Sequence, residues 1–258
     1  MAITVHSPPQ GKTPMDATRK TALVAGIFYL ITFISIPTLA LYGPVKTDLD
    51  FIVSSGSDSA VLWGGVLEVI VALAGIGTAI TLFPVVKRQN EGMALGLVAT
   101  RVLEAAMIFT GVVSLLSLVH LRQGLGAAAG ADTGSLVTTG ASLVGTYNGA
   151  FLLRQTLMPG LNALLLGTLL YRSGLVPRAI PRIGLIGAPL LITATFAVML
   201  GLIEQISAWT AVATLPVAMW ELSLGLWLVL KGFKPSPLTD NPHPAAIPHG
   251  ASEVAAQA

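Results

Sequence analysis

The chain of 258 residues contains no cysteine and few charged residues. The absence of cysteine excludes disulfides, thiolate nucleophiles and cysteine-based metal sites, and it leaves the redox compartment open. Charged residues make up 10% of the chain, whereas an ordinary soluble domain has about 25%. Because 53% of the residues are hydrophobic and they fall into long blocks, the sequence predicts an all-α integral membrane protein.

Motifs for catalysis and cofactor binding are also missing from the sequence. It has neither HExxH nor GxSxG, and among its histidines only His120 lies near an apolar block. The Gly-rich segment 120–148 lacks the lysine of a phosphate-binding loop. Basic residues are spread over the connections between blocks, which does not favour a nucleic-acid-binding face. We therefore predict no catalytic residue, no metal, no cofactor and no nucleic-acid partner.

Six apolar blocks are each long enough to cross a bilayer as a helix, which takes about 20 residues. The blocks are 21–42, 60–86, 93–119, 149–171, 183–203 and 208–230. They predict a six-helix bundle that forms one transmembrane domain over 21–230. Segment 1–20 is predicted to be flexible, 120–148 to be a loop rich in small residues, and the proline-rich tail 231–258 to be disordered.

The distribution of positive charge predicts the orientation of the bundle. With the N-terminus inside, the outside connections carry only Lys46 and Arg122 as basic residues. The inside segments carry Lys12, Arg19, Lys20, Lys87, Arg88, Arg172, Arg178, Arg182, Lys231 and Lys234. The positive-inside rule then places both termini in the cytoplasm. Aromatic residues at the ends of the blocks are predicted to be interface anchors; they are Tyr42, Trp63, Tyr147, Tyr171 and Trp209.

Five ionisable residues lie inside the predicted spans, namely Glu68, Arg101, Glu104, Arg154 and Glu221. Each would cost about 2.5–3.5 kcal/mol in hydrocarbon, so we expect these side chains to form pairs or to face a wet cavity. Arg101 and Glu104 are spaced for pairing on one helix face. Counting the helical rise places Glu68 at the height of Arg154, which predicts a second pair. Glu221 then remains an unmatched acid, either part of a proton relay or a silent buried hydrogen-bond donor.

The fourth predicted span combines polar side chains with a helix-breaking step. Asn148, Gln155 and Asn162 recur every seven residues, which predicts one shared helical face. Pro159 and the glycine after it predict a kink close to Arg154. Broken helices of this kind form binding sites in many transporters. We predict a polar cavity, with candidate binding residues Arg154, Gln155, Asn162, Glu221, Glu68, Arg101 and Glu104.

Three stretches of the chain resemble a bacterial membrane family known as domain of unknown function 4386. They are NALLLGTLLYRSGLVPRAIPRIGLIGAPLL at 162–191, RKTALVAGIFYLITFISIP at 19–37 and ELSLGLWLVLKGF at 221–233. The resemblance implies a multi-pass protein of the bacterial inner membrane. It also implies an acid at the position of Glu221 in the last span. It implies no activity, substrate or catalytic residue.

Three functional hypotheses follow from the buried charges. The first is a small-solute or proton-coupled carrier in which Arg154 attracts an anionic group and Glu221 exchanges a proton. The second is a structural or regulatory membrane protein whose charges fix helix packing. The third is an intramembrane enzyme that acts on lipid. The expected partners are the bilayer and a small molecule or proton, and the sequence identifies no protein partner.

Overall fold

The computed structural model describes residues 16–48, 50–54, 57–125 and 132–239. Within these ranges the regular elements are all helices, as predicted. They are α1 (Ala17–Thr32), α2 (Ser35–Leu41), α3 (Gly43–Thr47), α4 (Ser59–Val86), α5 (Glu91–Leu125), α6 (Thr133–Leu152), a π segment (Leu153–Leu157), α7 (Met158–Ser173), α8 (Ala179–Met199) and α9 (Ala208–Leu230).

Five helical segments are long and apolar enough to cross a membrane, so the chain is a multi-pass membrane protein. They are Ala17–Leu41, Ser59–Val86, Glu91–Gly124, Ala179–Met199 and Ala208–Leu230. The fourth predicted span, 149–171, is not a separate helix, because it joins the end of α6, the π segment and α7. The first predicted span is interrupted by a short break between α1 and α2.

The predicted loop at 120–148 is wrong over most of its length. α5 continues to Leu125, and α6 begins at Thr133, while 126–131 lie outside the described residues. The Asp132 carboxylate caps α6 by accepting backbone N–H groups at 3.2 Å. Gly140 allows a close contact, because a Cβ added there would lie 3.3 Å from Ile52. Small side chains at helix contacts are the usual solution inside membranes.

Six helices close into a ring around the centre of the molecule. In order around the ring they are α1, α4, α5, α7, α8 and α9, and α9 packs on α1 again. The contact between α1 and α9 is close, because a Cβ added at Gly26 would lie 2.8 Å from the carbonyl oxygen of Gly225. α6 packs on the outside of α5. The ring encloses the space in which the candidate site lies.

Both described ends of the chain lie at the same end of the bundle. The Arg19 guanidinium donates to the carbonyl of Leu228 at 2.7 Å, joining the start of α1 to the end of α9. The first residues of the tail, predicted to be disordered, pack on the bundle: Lys234 N–H donates to the carbonyl of Leu175 at 2.7 Å. The rest of the predicted disordered tail, 240–258, and most of the predicted flexible segment 1–20 lie outside the described residues.

Candidate functional site

The predicted pair of Glu68 and Arg154 is formed, and it is sealed from solvent. The Glu68 side chain on α4 is 0% exposed and that of Arg154 in the π segment is 3% exposed, and the two are in salt-bridge contact. Arg154 also donates to the hydroxyl of Tyr147 at 3.4 Å, and the Tyr42 hydroxyl donates to Glu68 at 3.5 Å. We call these four residues the sealed cluster.

Arg101 forms a second cluster with acids from two helices. Its Nη1 donates to Glu104 Oε2 at 3.0 Å, and its Nη2 donates to Glu221 Oε1 at 3.1 Å. The same Nη2 also lies 3.2 Å from the hydroxyl of Tyr29 on α1. We call Arg101, Glu104, Glu221 and Tyr29 the Arg101 cluster. The prediction that Glu221 is an unmatched acid is wrong, because one guanidinium has enough N–H donors to bind two carboxylates.

Asn162 holds Glu104 in place from the neighbouring helix α7. Its side-chain N–H donates to Glu104 Oε2 at 2.8 Å, and its carbonyl oxygen accepts the Thr100 hydroxyl at 2.6 Å. Both ends of this fully buried amide are therefore bonded. Asn162 is a positioning residue for Glu104 and does not reach the cavity described next.

A cavity of about 270 Å³ lies inside the helix ring, beside the Arg101 cluster. Its wall comes from the α1–α2 break, α4, α5, the π segment, α7, α8 and α9. The charged and amide side chains on this wall are Arg101, Glu104, Arg154, Gln155 and Glu221. Most of the remaining lining is apolar, including Phe33, Ile108 and Val217. Of the predicted cavity residues, Glu68 and Asn162 stand behind the wall.

The two carboxylates of the Arg101 cluster have unused acceptor capacity. The side chains of Glu104 and Glu221 are 14% and 16% exposed, in contrast to the sealed Glu68. The hydrogen bonds to these side chains are accepted by Glu104 Oε2 and Glu221 Oε1. Within the described part of the chain, Glu104 Oε1 and Glu221 Oε2 accept no hydrogen bond. A carboxylate in a site of this kind can bind water, a proton or a ligand donor.

The two clusters differ in formal charge. One guanidinium and two carboxylates give the Arg101 cluster a charge of −1 when all three groups are ionised. Glu68 and Arg154 cancel each other. Lys46 lies near this pair on α3, with its Nζ 5.0 Å from the centre of the Phe151 ring that Arg154 also contacts. Burial lowers the pKa of Lys46, and the positive charge of Arg154 acts in the same direction.

The predicted irregularity near Pro159 takes the form of the π segment. Arg154 and Gln155 belong to this wider turn, and Pro159 lies in the first turn of α7 directly after it. The wider turn changes the register along the chain, so Asn148, Gln155 and Asn162 do not share the predicted face. Gln155 lines the cavity, Asn162 is enclosed, and Asn148 lines a separate hollow with Lys46. π segments occur frequently at functional sites.

Three tyrosines complete the clusters, a role that was not predicted from the sequence. Tyr42 and Tyr147, predicted as interface anchors, are fully buried because their hydroxyls lie in the sealed cluster. Trp63 and Trp209 are exposed, as expected of residues that contact lipid. The role of Tyr29 could have been predicted from the sequence, because a hydroxyl in the middle of an apolar block needs a buried hydrogen-bond partner.

Comparison with known proteins gives one match. The family model described as domain of unknown function (DUF4386) matches residues 24–232. Neither a curated protein nor a solved structure matches the chain. Since the family match runs from the middle of α1 to the end of α9 and so covers most of the chain, the chain belongs to this family.

Proposed function

We propose that this member of the family is a carrier that holds a small polar solute in the cavity inside the helix ring. The observation that carries the proposal is the exposure of charged side chains on a cavity wall among membrane-spanning helices. Charged groups are costly among membrane-spanning helices. We expect a charged pair that serves packing alone to be fully buried. Glu68 is sealed and is bound by Arg154, whereas Glu104 and Glu221 keep free oxygens at the cavity.

The size of the cavity restricts the solute. Pockets for drug-sized ligands measure about 300–1,000 Å³, and the cavity holds about 270 Å³. One water occupies roughly 30 Å³ of liquid volume. The space therefore suits a solute of a few heavy atoms with some water. A whole lipid molecule would not fit within it.

Two helix interruptions border the cavity. They support the proposal that part of the bundle moves during transport. The α1–α2 break contributes Phe33 and the π segment contributes Gln155 to the wall. Discontinuous helices at the binding site are common in secondary transporters. As part of the proposal, α6, the π segment and α7 together make a sixth pass. The shared end of the bundle, with its cluster of basic residues, then faces the cytoplasm of a bacterial cell.

The proposal is tested by measuring ligand binding to the wild type and to a variant whose cavity is filled by a larger side chain. The purified full-length protein in detergent is heated with propylammonium chloride, sodium propionate or propionamide, which have similar size and different charge. A ligand that binds the folded state raises its stability by about 2.7 kcal/mol at a hundred times its Kd. We expect at least one probe to raise the unfolding temperature of the wild type, and the same probe to enter proteoliposomes.

The matched variants are Ala218→Phe and Ala211→Phe, both on α9. Ala218 lines the cavity, whereas Ala211 is exposed and does not. We expect Ala218→Phe to abolish the stabilisation and the uptake, and Ala211→Phe to retain both. If no probe stabilises the wild type, or if Ala218→Phe leaves binding intact, the cavity is not a solute site.

The sealed cluster supports an architectural role for part of the charge set. Glu68 and Arg154 bond to each other and to two tyrosines, and both side chains are almost fully buried. Groups bonded in this way fix the relative position of α4 and the π segment. The second hypothesis from the sequence therefore applies to this pair, while the Arg101 cluster supports the carrier.

A further inference from the structure

We infer that the cavity binds a small organic ammonium ion at Glu104 and Glu221, and that this ion displaces a proton held by one of the two carboxylates. The inference rests on the proposed function and names its substrate class. It also departs from the sequence hypothesis of an anionic solute at Arg154, because that guanidinium is already paired with Glu68.

The charge balance of the Arg101 cluster points to a cation. Arg101 offsets one of the two carboxylates, so a charge of −1 remains when both are ionised. An uncompensated buried charge destabilises a protein strongly, more so among membrane-spanning helices. When two acids share one site, one of them commonly stays protonated for this reason. When the cavity is empty the proton offsets the excess charge, and a bound cation can take over that task.

No other charged group in the described residues neutralises this excess. Glu221 on α9 is faced by Arg101 and Glu104 from α5 and by the Tyr29 hydroxyl from α1. The cavity wall from α4 and α8 consists of Val71, Ala72, Gly75 and Leu191. Arg154 lines the cavity from the π segment, but its charge is offset by Glu68. Glu104 and Glu221 therefore leave a net negative charge on a cavity wall that is otherwise mostly apolar.

The lining favours an organic cation over a metal ion. Metal ions such as Mg²⁺ and Ca²⁺ need six or more oxygen ligands, and the wall beyond the two carboxylates is mostly hydrocarbon. An alkylammonium ion needs acceptors for its N–H groups and apolar contacts for its carbon atoms. Glu104 Oε1 and Glu221 Oε2 are free to accept such N–H groups, and Phe33, Ile108 and Val217 provide apolar contacts.

The exchange step balances in charge and atoms. The protonated carboxyl group loses its O–H proton to water, and the carboxylate that results binds the incoming ammonium ion. No other bond forms or breaks. One monovalent cation enters for each proton that leaves, so the cavity keeps the same net charge in both states. In a membrane this exchange would couple uptake of the cation to export of a proton.

Calorimetry on the full-length protein in detergent tests the exchange. Propylammonium chloride is titrated at pH 7 in two buffers that differ in their enthalpy of protonation, and the difference in observed heat gives the number of protons released. We expect about one proton per bound ion, since one of the two carboxyl groups is protonated before binding. Glu221→Gln should bind propylammonium about tenfold to a hundredfold more weakly, the loss of a charge-assisted hydrogen bond. It should also release no proton.

Two comparisons keep the result interpretable. Glu91→Gln, an exposed acid at the start of α5 outside the cavity lining, should bind and release protons as the wild type does. Glu221→Gln leaves Arg101 paired with Glu104, so the unfolding temperature of this variant should stay at or above that of the wild type. Glu104→Gln provides an independent variant for binding.

Binding of propionate or propionamide but not propylammonium would refute the inference and leave the carrier proposal standing. Propylammonium binding without proton release would also refute it. Absence of binding by all three probes would refute the carrier itself.

Discussion

Removing the carboxylate of Glu68 leaves the buried guanidinium of Arg154 without an anion. We choose Glu68→Gln, because glutamine keeps the shape of the side chain and can still accept the Tyr42 hydroxyl. Arg154 is 3% exposed, and Lys46 lies close by over the same Phe151 ring, so two cations would then share this part of the bundle. Breaking one side of a buried pair costs about 3–5 kcal/mol. We expect the free energy of unfolding to fall by about that amount.

The assay is unfolding by SDS in mixed micelles, followed by far-UV circular dichroism. The double variant Glu68→Gln with Arg154→Met removes both charges, and we expect it to recover most of the lost stability, since replacing both partners of a buried pair is often close to neutral. Glu91→Gln controls for the loss of an exposed carboxylate and should change stability by less than about 0.5 kcal/mol. A loss below about 1 kcal/mol for Glu68→Gln, or a double variant as unstable as the single one, would refute the reasoning.

Two further predictions concern helix packing and the positioning of Glu104. Gly26→Val should separate α1 from α9, because its Cβ would lie 2.8 Å from the Gly225 carbonyl oxygen; we expect a loss of more than about 1 kcal/mol in the same assay. Gly43→Ala is the control, since no atom lies within 4 Å of its added Cβ, and an equal loss there would contradict the packing argument. Asn162→Leu removes the bonds to Glu104 and Thr100 and should cost about 1–3 kcal/mol. The same variant should weaken propylammonium binding in calorimetry, and unchanged binding would show that Asn162 does not position Glu104.

Pairing across the bundle was predictable for one charged pair and not for another. Glu68 and Arg154 were matched by depth alone, because the rise per residue of a helix converts sequence position into height in the membrane. Glu221 was left without a partner, although Arg101 binds it at 3.1 Å. That contact depends on how α5 and α9 are rotated and on their neighbour α1, and the sequence does not show which helices are neighbours. A long arginine side chain also reaches across differences in height.

Composition gave wrong predictions where the same residue types are typical of two different structural settings. Glycine, alanine and serine at 120–148 predicted a loop, yet within the described part most of them belong to α5 and α6, and Gly140 lies in a close contact with Ile52. Tyr42 and Tyr147 stand near the ends of apolar blocks, where tyrosine is typical of the interface. In the structure their rings lie edge to face at 5.2 Å and their hydroxyls bind the sealed cluster.

The sequence by itself determined that this is a multi-pass membrane protein with costly charges inside its helices. It could do so because the thickness of the bilayer fixes the length of an apolar run, and because hydrocarbon makes every buried charge conspicuous. Only the tertiary structure decided which acids share Arg101, which pair is sealed and which carboxylates face a cavity. These properties depend on the rotation and order of the helices around the ring and on one π turn beside Arg154, and they arise from contacts between residues far apart in the chain.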